Sequence, residues 1–435
     1  MIERIFAENY RAFESLDIDL SKINLFFGPN NSGKSSILSI INALTQTLNS
    51  SDQTVPLLLR GTKEDLGTYR DLVFNHDVSK DIVIGIQSKQ HFPYLTKKSK
   101  KDYVRGSIQL KYGFRKGRHE IVLKNISLTF PDDEIEMNIV RSKSYANNNY
   151  YQDYMKVNDK IDPKRKKIMF LDHFLPYPQP NYIQDFEYHR YIRSFIMNFI
   201  KELKSVEFIG PFRVPPIRSY MFSGESPDSV GVHGERAIDI MVMDHLKQKG
   251  KGKREIVNRI SDWLKSCQIS ERMSIKTLSE KHFEVVLSHL SSNSEENLAD
   301  VGYGCSQVLP ILVAGYKLKA NSIIMVQEPE IHLHPKAQAE LGTFFYELAK
   351  KGIQTIIETH SEHLMLRLQA HIADKKSELN PDDLRVYYIY IENGSRKIKK
   401  MNLKEDGFFE DSWPQGFFPE RYLEAKKIAK GTLTP

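Results

Sequence analysis

Cysteine is almost missing from this chain. Only Cys267 and Cys305 occur in 435 residues, too few for a disulfide framework or a four-ligand zinc site. No apolar run reaches the roughly 20 residues that cross a bilayer, and none has the order of a secretory signal. A cytoplasmic protein with no membrane contact is therefore expected. No heptad repeat is sustained, which excludes long coiled-coil arms. A strong charge bias is also absent. The 62 Lys and Arg against 55 Asp and Glu give +7, a balance that permits contact with nucleic acid without requiring it. With 40% hydrophobic and 27% charged residues, the composition is that of a globular protein with room for two or three domains.

Against these absences stands one complete motif. Gly28-Pro29-Asn30-Asn31-Ser32-Gly33-Lys34-Ser35 fits the phosphate-loop pattern G-x-x-x-x-G-K-[ST]. Ile23–Phe27 before it reads as a short buried strand, and Ser36–Leu44 after it has helical apolar spacing. Glycines let the backbone wrap a triphosphate so that N–H groups and the helix N-terminus face its oxygens. Asn30, Asn31, Ser32, Gly33, Lys34, Ser35 and Ser36 are the candidate nucleotide contacts. Lys34 is expected at the β- and γ-phosphates of ATP and the Ser35 hydroxyl on Mg²⁺.

Three further stretches carry chemistry near the other end. Asn297–Gln307 is glycine-rich and opens a helix running through Leu312. Ile323–Val326 reads as a buried strand, and the polar pair Gln327-Glu328 stands at its C-terminal end, where parallel sheets place ligands. Ile353–Glu358 is another strand, ending in Thr359-His360. His332, His334, His360 and His363 also allow a rival reading as a metal cluster.

The hairpin with Tyr10-Arg11 at its turn, the phosphate loop and these strand ends resemble the ABC-type ATPases of the RecF, SMC and OLD group. The variant signature Val301-Gly302-Tyr303-Gly304-Cys305-Ser306-Gln307 is the form OLD-like members use. The tail, Glu405–Arg421, resembles a small C-terminal domain of OLD-like ATPases from bacterial anti-phage systems of the Septu and PARIS kind. The resemblance covers roughly half the chain. It implies an α/β fold, an ABC-type ATPase head (a P-loop NTPase with a mixed sheet and helices) carrying a large α+β insertion. The expected segments are 1–80 with the phosphate loop, 81–205 as the insertion, 206–380 with the signature, Walker B strand and switch histidine, and 381–435 as a hairpin and aromatic tail.

The resemblance also distributes roles. Arg11 lies near the nucleotide, and Gly304 and Ser306 serve the γ-phosphate held by a second subunit. The Walker B acid that holds Mg²⁺ through water is replaced here by Gln327, with Glu328 polarising the attacking water and His360 contacting the γ-phosphate. Losing a carboxylate about 5 Å from Mg²⁺ removes on the order of 7 kcal/mol at an effective dielectric near 20, partly offset by solvation, so slow turnover is expected. A signature helix that cannot reach its own ATP implies a head-to-tail homodimer or higher homo-oligomer. The acids after His360 lack the Glu and Asp-x-Asp set of a two-metal nuclease, so the expected nuclease effector is a separate chain. Trp413, Phe417 and Phe418 are either docking anchors or core packing. A RecF/SMC-like DNA-repair ATPase and an ATP-binding scaffold with little hydrolysis are the competing readings.

Overall fold

The computed structural model describes residues 1–91, 103–141, 150–157, 160–162, 166–168, 170–177, 186–246, 255–289, 294–413 and 428. The basic runs Lys97–Lys101 and Lys247–Arg254, residues 164 and 165, residues 145–149, and Phe417 and Phe418 lie outside them.

Strands β1 (Ile2–Tyr10) and β2 (Phe13–Asp19) form a hairpin. β3 (Ile23–Phe27) enters the glycine loop and helix α1 (Lys34–Leu48) leaves it. After the one-turn helix α2 (Tyr69–Leu72) come β4 (Ile82–His91), β5 (Tyr103–Arg115), β6 (Glu120–Phe130), β7 (Ile135–Arg141), β8 (Tyr150–Val157), β9 (Lys160–Asp162), β10 (Lys166–Ile168), β11 (Phe170–Asp172) and β12 (Leu175–Tyr177). Helix α3 (Phe186–Lys204) leads to β13 (Val206–Ile209), β14 (Tyr220–Met221), α4 (Ala237–Leu246), α5 (Glu255–Ser266), β15 (Arg272–Thr277), β16 (His282–Ser288) and β17 (Glu295–Asn297). The chain continues through α6 (Tyr303–Lys317), β18 (Ile323–Gln327), α7 (Pro335–Lys350), β19 (Gln354–Glu358), α8 (Glu362–Ala373), β20 (Leu384–Glu392) and β21 (Ser395–Met401). Phe186–Lys204 forms one 19-residue helix, because its apolar residues recur at helical spacing with no turn residue to break them. Tyr150, Tyr151 and Gln152 open β8.

The chain separates into two compact units. The first comprises Met1–Ser21, Gly33–Phe208 and Asn321–Met325. Its sheet runs β10-β8-β7-β6-β5-β4-β1-β2, with β9 on β8, and the pairings within it are antiparallel. Alternation sets the register. Ile108, Leu110 and Tyr112 on β5 and Ile126, Leu128 and Phe130 on β6 are buried, while their neighbours are more exposed. Helix α3 buries Ile192, Phe195, Ile196, Phe199 and Leu203. Phe195 meets Phe130 edge-on at 5.0 Å, and Gly106 has no room for a Cβ between those two rings. Each such ring contributes about 1.5–3 kcal/mol of burial.

The second unit comprises Lys22–Ser32, Ile209–Ala320 and Val326–Pro435. β3 is its central strand, with five buried residues in a row, as expected of a strand covered on both faces. It lies parallel to β19, Glu358 opposite Phe26, and parallel to β20, Leu384 opposite Ile23. The polar Asn24 is accommodated because its Nδ2 donates to the Thr355 carbonyl at 3.0 Å. β20 and β21 close the expected hairpin at Asn393-Gly394, whose φ of 49° and 74° suit a two-residue primed turn. Trp413 packs edge-on against Phe27, Tyr388 and Phe409, so its ring belongs to this core.

Candidate nucleotide site

The division between units falls inside the glycine loop, between Ser32 and Gly33. On the second unit's side, Gly28 has φ 149°. A Cβ there would stand 2.1 Å from the Ile389 carbonyl oxygen on β20, so only glycine fits. Asn30 and Asn31 are exposed. Ser32 is fully buried and its hydroxyl has no hydrogen-bond partner among the described residues. A buried hydroxyl without a partner is costly, and a phosphate oxygen is a group that satisfies it.

On the first unit's side, Gly33 has φ 111° and packs on Ala12 and Phe13 of the hairpin turn. Lys34 is buried, Ser35 exposed and Ser36 half-buried. Tyr10 and Ser39 share a 2.9 Å hydrogen bond that holds the turn against α1. Arg11 donates to Glu64 at 3.1 Å, and the other oxygen of Glu64 accepts from Asn42 on α1. The structure thus ties Arg11 to an acid that sequence reasoning had not marked.

Capping separates the helices into two kinds. The ring of His334 accepts from Lys336 at the start of α7, and the Ser361 hydroxyl accepts from Leu364 at the start of α8. No side chain caps α1 or α6. Uncapped N–H groups and the positive end of the helix dipole suit an anion. At α6, a Cβ on Gly304 would stand 2.4 Å from the His332 carbonyl, which gives that glycine a packing reason of its own. Ser306 is buried and its hydroxyl donates to the Tyr303 carbonyl one turn back, so this conformation does not present it at the helix N-terminus.

The strand ends of the second unit form a polar knot. Gln327 Nε2 donates to Glu358 Oε2 at 2.7 Å. Glu328 has left-handed backbone, φ 46°, and its N–H donates to the Glu358 carbonyl at 2.7 Å. Glu330 receives the Thr359 hydroxyl at 2.8 Å and the His360 N–H at 2.5 Å. Burial nevertheless pushes its carboxyl above the usual range. Beneath the turn lies Arg213, buried, with Nη2 donating to the carbonyls of Gln327 at 2.6 Å and Glu328 at 3.2 Å. Desolvation lowers its pKa to about 10 despite the attraction of Glu330 and Glu328. Sequence reasoning gave no role to Arg213 and marked Glu358 only as the end of a strand, two residues before His360.

The rival metal cluster finds no such convergence. Among the described residues no three His, Cys, Asp or Glu side chains gather around one point. His332 leans on Tyr303 and His334 serves as a cap.

A strand–loop–helix glycine loop, an uncapped glycine-rich helix and acids at the ends of parallel strands fit a mixed α/β ATPase head of the ABC type. The chain belongs to the AAA ATPase domain family, which matches residues 1–365, and that membership makes it a nucleotide-binding ATPase. A curated relative is the Old nuclease of Escherichia phage P2, 25% identical over 143 residues, which cover 28% of this chain and only 24% of that protein. Similar solved structures include an SMC head bound to the C-terminal winged-helix domain of ScpA, at TM-score 0.45 and 12% identity over 93% of this chain and 98% of that one. Another is the SMC head from Thermotoga maritima, at TM-score 0.39 and 9% identity over 92% and 99%. No helix among the described residues is long and apolar enough to cross a membrane.

Proposed function

We propose that this chain binds ATP with Mg²⁺, hydrolyses it slowly, dimerises around it, and through that cycle regulates a separate nuclease effector in anti-phage defence. The observation that carries the ATP reading is the glycine loop, with its unpartnered buried Ser32 hydroxyl and the uncapped helix that follows. Lys34 and the loop N–H groups bind the phosphates, and Ser35 and Gln327 are the residues proposed to hold Mg²⁺. Mg²⁺, when bound, neutralises charge on the β- and γ-oxygens. Glu328, pinned at its N–H by β19 and at its carbonyl by Arg213, orients water and takes its proton. His360 is proposed at the γ-phosphate, held there through the hydrogen bond from its N–H to Glu330.

The separate effector is favoured by what the acids after His360 already do. Asp382 pairs with Arg385, Asp383 with Lys22, and Asp406 accepts from the Phe408 N–H. The decisive experiment combines size-exclusion light scattering of Glu328→Gln with and without ATP and nuclease assays on the purified chain. A dimer that forms only with ATP, and no cleavage of DNA or RNA, is expected. Cleavage abolished by a mutation in this chain overturns the separate-effector reading, and an ATP-independent mass overturns the ATP-gated dimer.

A further inference from the structure

Gln327 stands where the metal-facing acid of this ATPase class is found, and an amide cannot supply the missing charge. It can supply an orientation. An amide donates only from its nitrogen, and Nε2 of Gln327 is committed to Glu358 at 2.7 Å. The carboxylate at the far end of that hydrogen bond is buried, with 5% of Glu358 exposed. Its place in the sheet is specific. Glu358 is the last residue of β19 and lies opposite Phe26 of β3, while the next N–H along, Thr359, donates to the Phe26 carbonyl at 3.2 Å. Two residues after Phe26 the phosphate loop begins at Gly28. Glu358 therefore ends its strand beside the strand that leads into that loop, at the C-terminal edge of parallel strands, where ligands bind in open α/β sheets.

The other acids of the knot have different commitments. Both oxygens of Glu330 are filled, one by the Thr359 hydroxyl and one by the His360 N–H, and Glu328 is the residue placed to orient water. The donor set fits a hard cation held against phosphate, namely a carboxylate and an amide oxygen at the strand ends beside a loop with an unpartnered buried hydroxyl.

We propose that Glu358 supplies toward Mg²⁺–ATP the negative charge that position 327 lacks, with Gln327 as the amide that orients it. The charge has moved from one strand end to its neighbour, and the site keeps one metal-directed acid. This rests on the ATP reading above and names a residue that reading did not use.

The test is titration of a fluorescent ATP analogue at fixed nucleotide, with Mg²⁺ varied and a parallel series in EDTA, on the full chain. Glu358→Gln raises the Mg²⁺ concentration for half-maximal binding about tenfold or more and leaves binding in EDTA within about twofold of the parent. Gln327→Met, which removes the orienting donor and keeps the carboxylate, shifts the midpoint in the same direction by less. Direct Mn²⁺ titration by electron paramagnetic resonance in the presence of ATP follows the same order. A merely structural Glu358 lowers the melting temperature and moves both series together. Should Glu358→Gln fail to fold, Glu358→Asp keeps the charge, shortens its reach and carries the test, with a raised midpoint in Mg²⁺ and no change in EDTA. An unshifted Mg²⁺ midpoint in a folded variant overturns the proposal alone. A parent chain that binds no nucleotide in either series overturns the ATP reading and the proposal with it.

Discussion

Arg213 and Gln327, separated by 114 residues of chain, are joined by a 2.6 Å hydrogen bond from the guanidinium to the main-chain carbonyl. The same nitrogen reaches the carbonyl of Glu328 at 3.2 Å. One buried cation thus holds the backbone of the residue on either side of the peptide that ends β18, and Glu328 keeps its left-handed conformation because both ends of the turn are anchored. Arg213→Met is expected to lose about 1–3 kcal/mol of stability, because the Gln327 and Glu328 carbonyls both lose the guanidinium and Glu328 keeps only the 3.4 Å bond from the Ile331 N–H. Its kcat should fall about tenfold, with ATP affinity unchanged, because the turn and not the phosphate loop is loosened. Urea unfolding with steady-state turnover checks both halves. A parental kcat in a destabilised protein would assign Arg213 to folding alone.

Glu328→Gln should abolish turnover, by a factor of about 10² or more, while ATP still binds. The amide is isosteric and leaves the backbone hydrogen bonds of Glu328 in place, but it cannot take a proton from water. Single-turnover hydrolysis beside equilibrium binding makes the comparison. Turnover at the parental rate would pass the role to another group.

Lys34→Ala should weaken ATP binding at least about tenfold, a loss of about 1.4 kcal/mol or more. The side chain is buried at the first turn of α1, so its removal takes away a cation that water cannot replace at that spot. Isothermal titration with ATP gives the answer, and parental affinity would remove the phosphate loop from the site.

Both cysteines are buried, and burial pushes each thiol up to about 12. Thiolate is the reactive form, so neither Cys267 nor Cys305 should react with a chromogenic disulfide reagent near pH 8 in the folded chain. Both should react at once in denaturant. Rapid reaction of either thiol in the folded protein would contradict the packing of α5 and α6.

Lys63 donates to the Val206 carbonyl at 2.6 Å, and burial lowers its ammonium from the ordinary 10.5 to about 8, with Glu207 opposing in part. Below the folded value both states hold the proton, and above the unfolded value neither does. Between them only the unfolded chain is protonated, so stability from this group rises with pH across about 8 to 10.5. Urea unfolding at about pH 7 and about pH 9.5 should therefore show a steeper gain for the parent than for Lys63→Met. Equal slopes would remove Lys63 from the pH dependence.

The phosphate loop was legible in the sequence because its constraint is local. Gly28 and Gly33 need φ of 149° and 111°, and a buried strand and a helix flank them within a few residues. The hairpin at Asn393-Gly394 was legible for the same reason. The polar knot was not. Arg213 lies in an irregular segment whose one structural purpose is a carbonyl more than a hundred residues on, and Glu358 becomes meaningful only when β19 is set beside β3. The antiparallel sheet of the first unit was legible only as part of an α+β insertion, since its polar faces do not show which strands pair. Trp413 could be read either way until its contacts with Phe27 and Tyr388 placed it in the core.

Both neighbours of strand β3 come from far downstream in the chain. Asn24 bonds to Thr355 across 331 residues, and the other edge of β3 pairs with β20 beginning at Leu384. Until those segments are made, the strand that carries the glycine loop has neither partner, and loop closure over such separations is slow. A nascent or truncated chain stopping short of β20 also lacks the Ile389 carbonyl against which Gly28 is fitted. The nucleotide pocket is consequently a late event in biogenesis. The strand that carries the glycine loop gains its second neighbour only once β20 has been made, and a fragment that stops short of β20 is expected to hold no ATP.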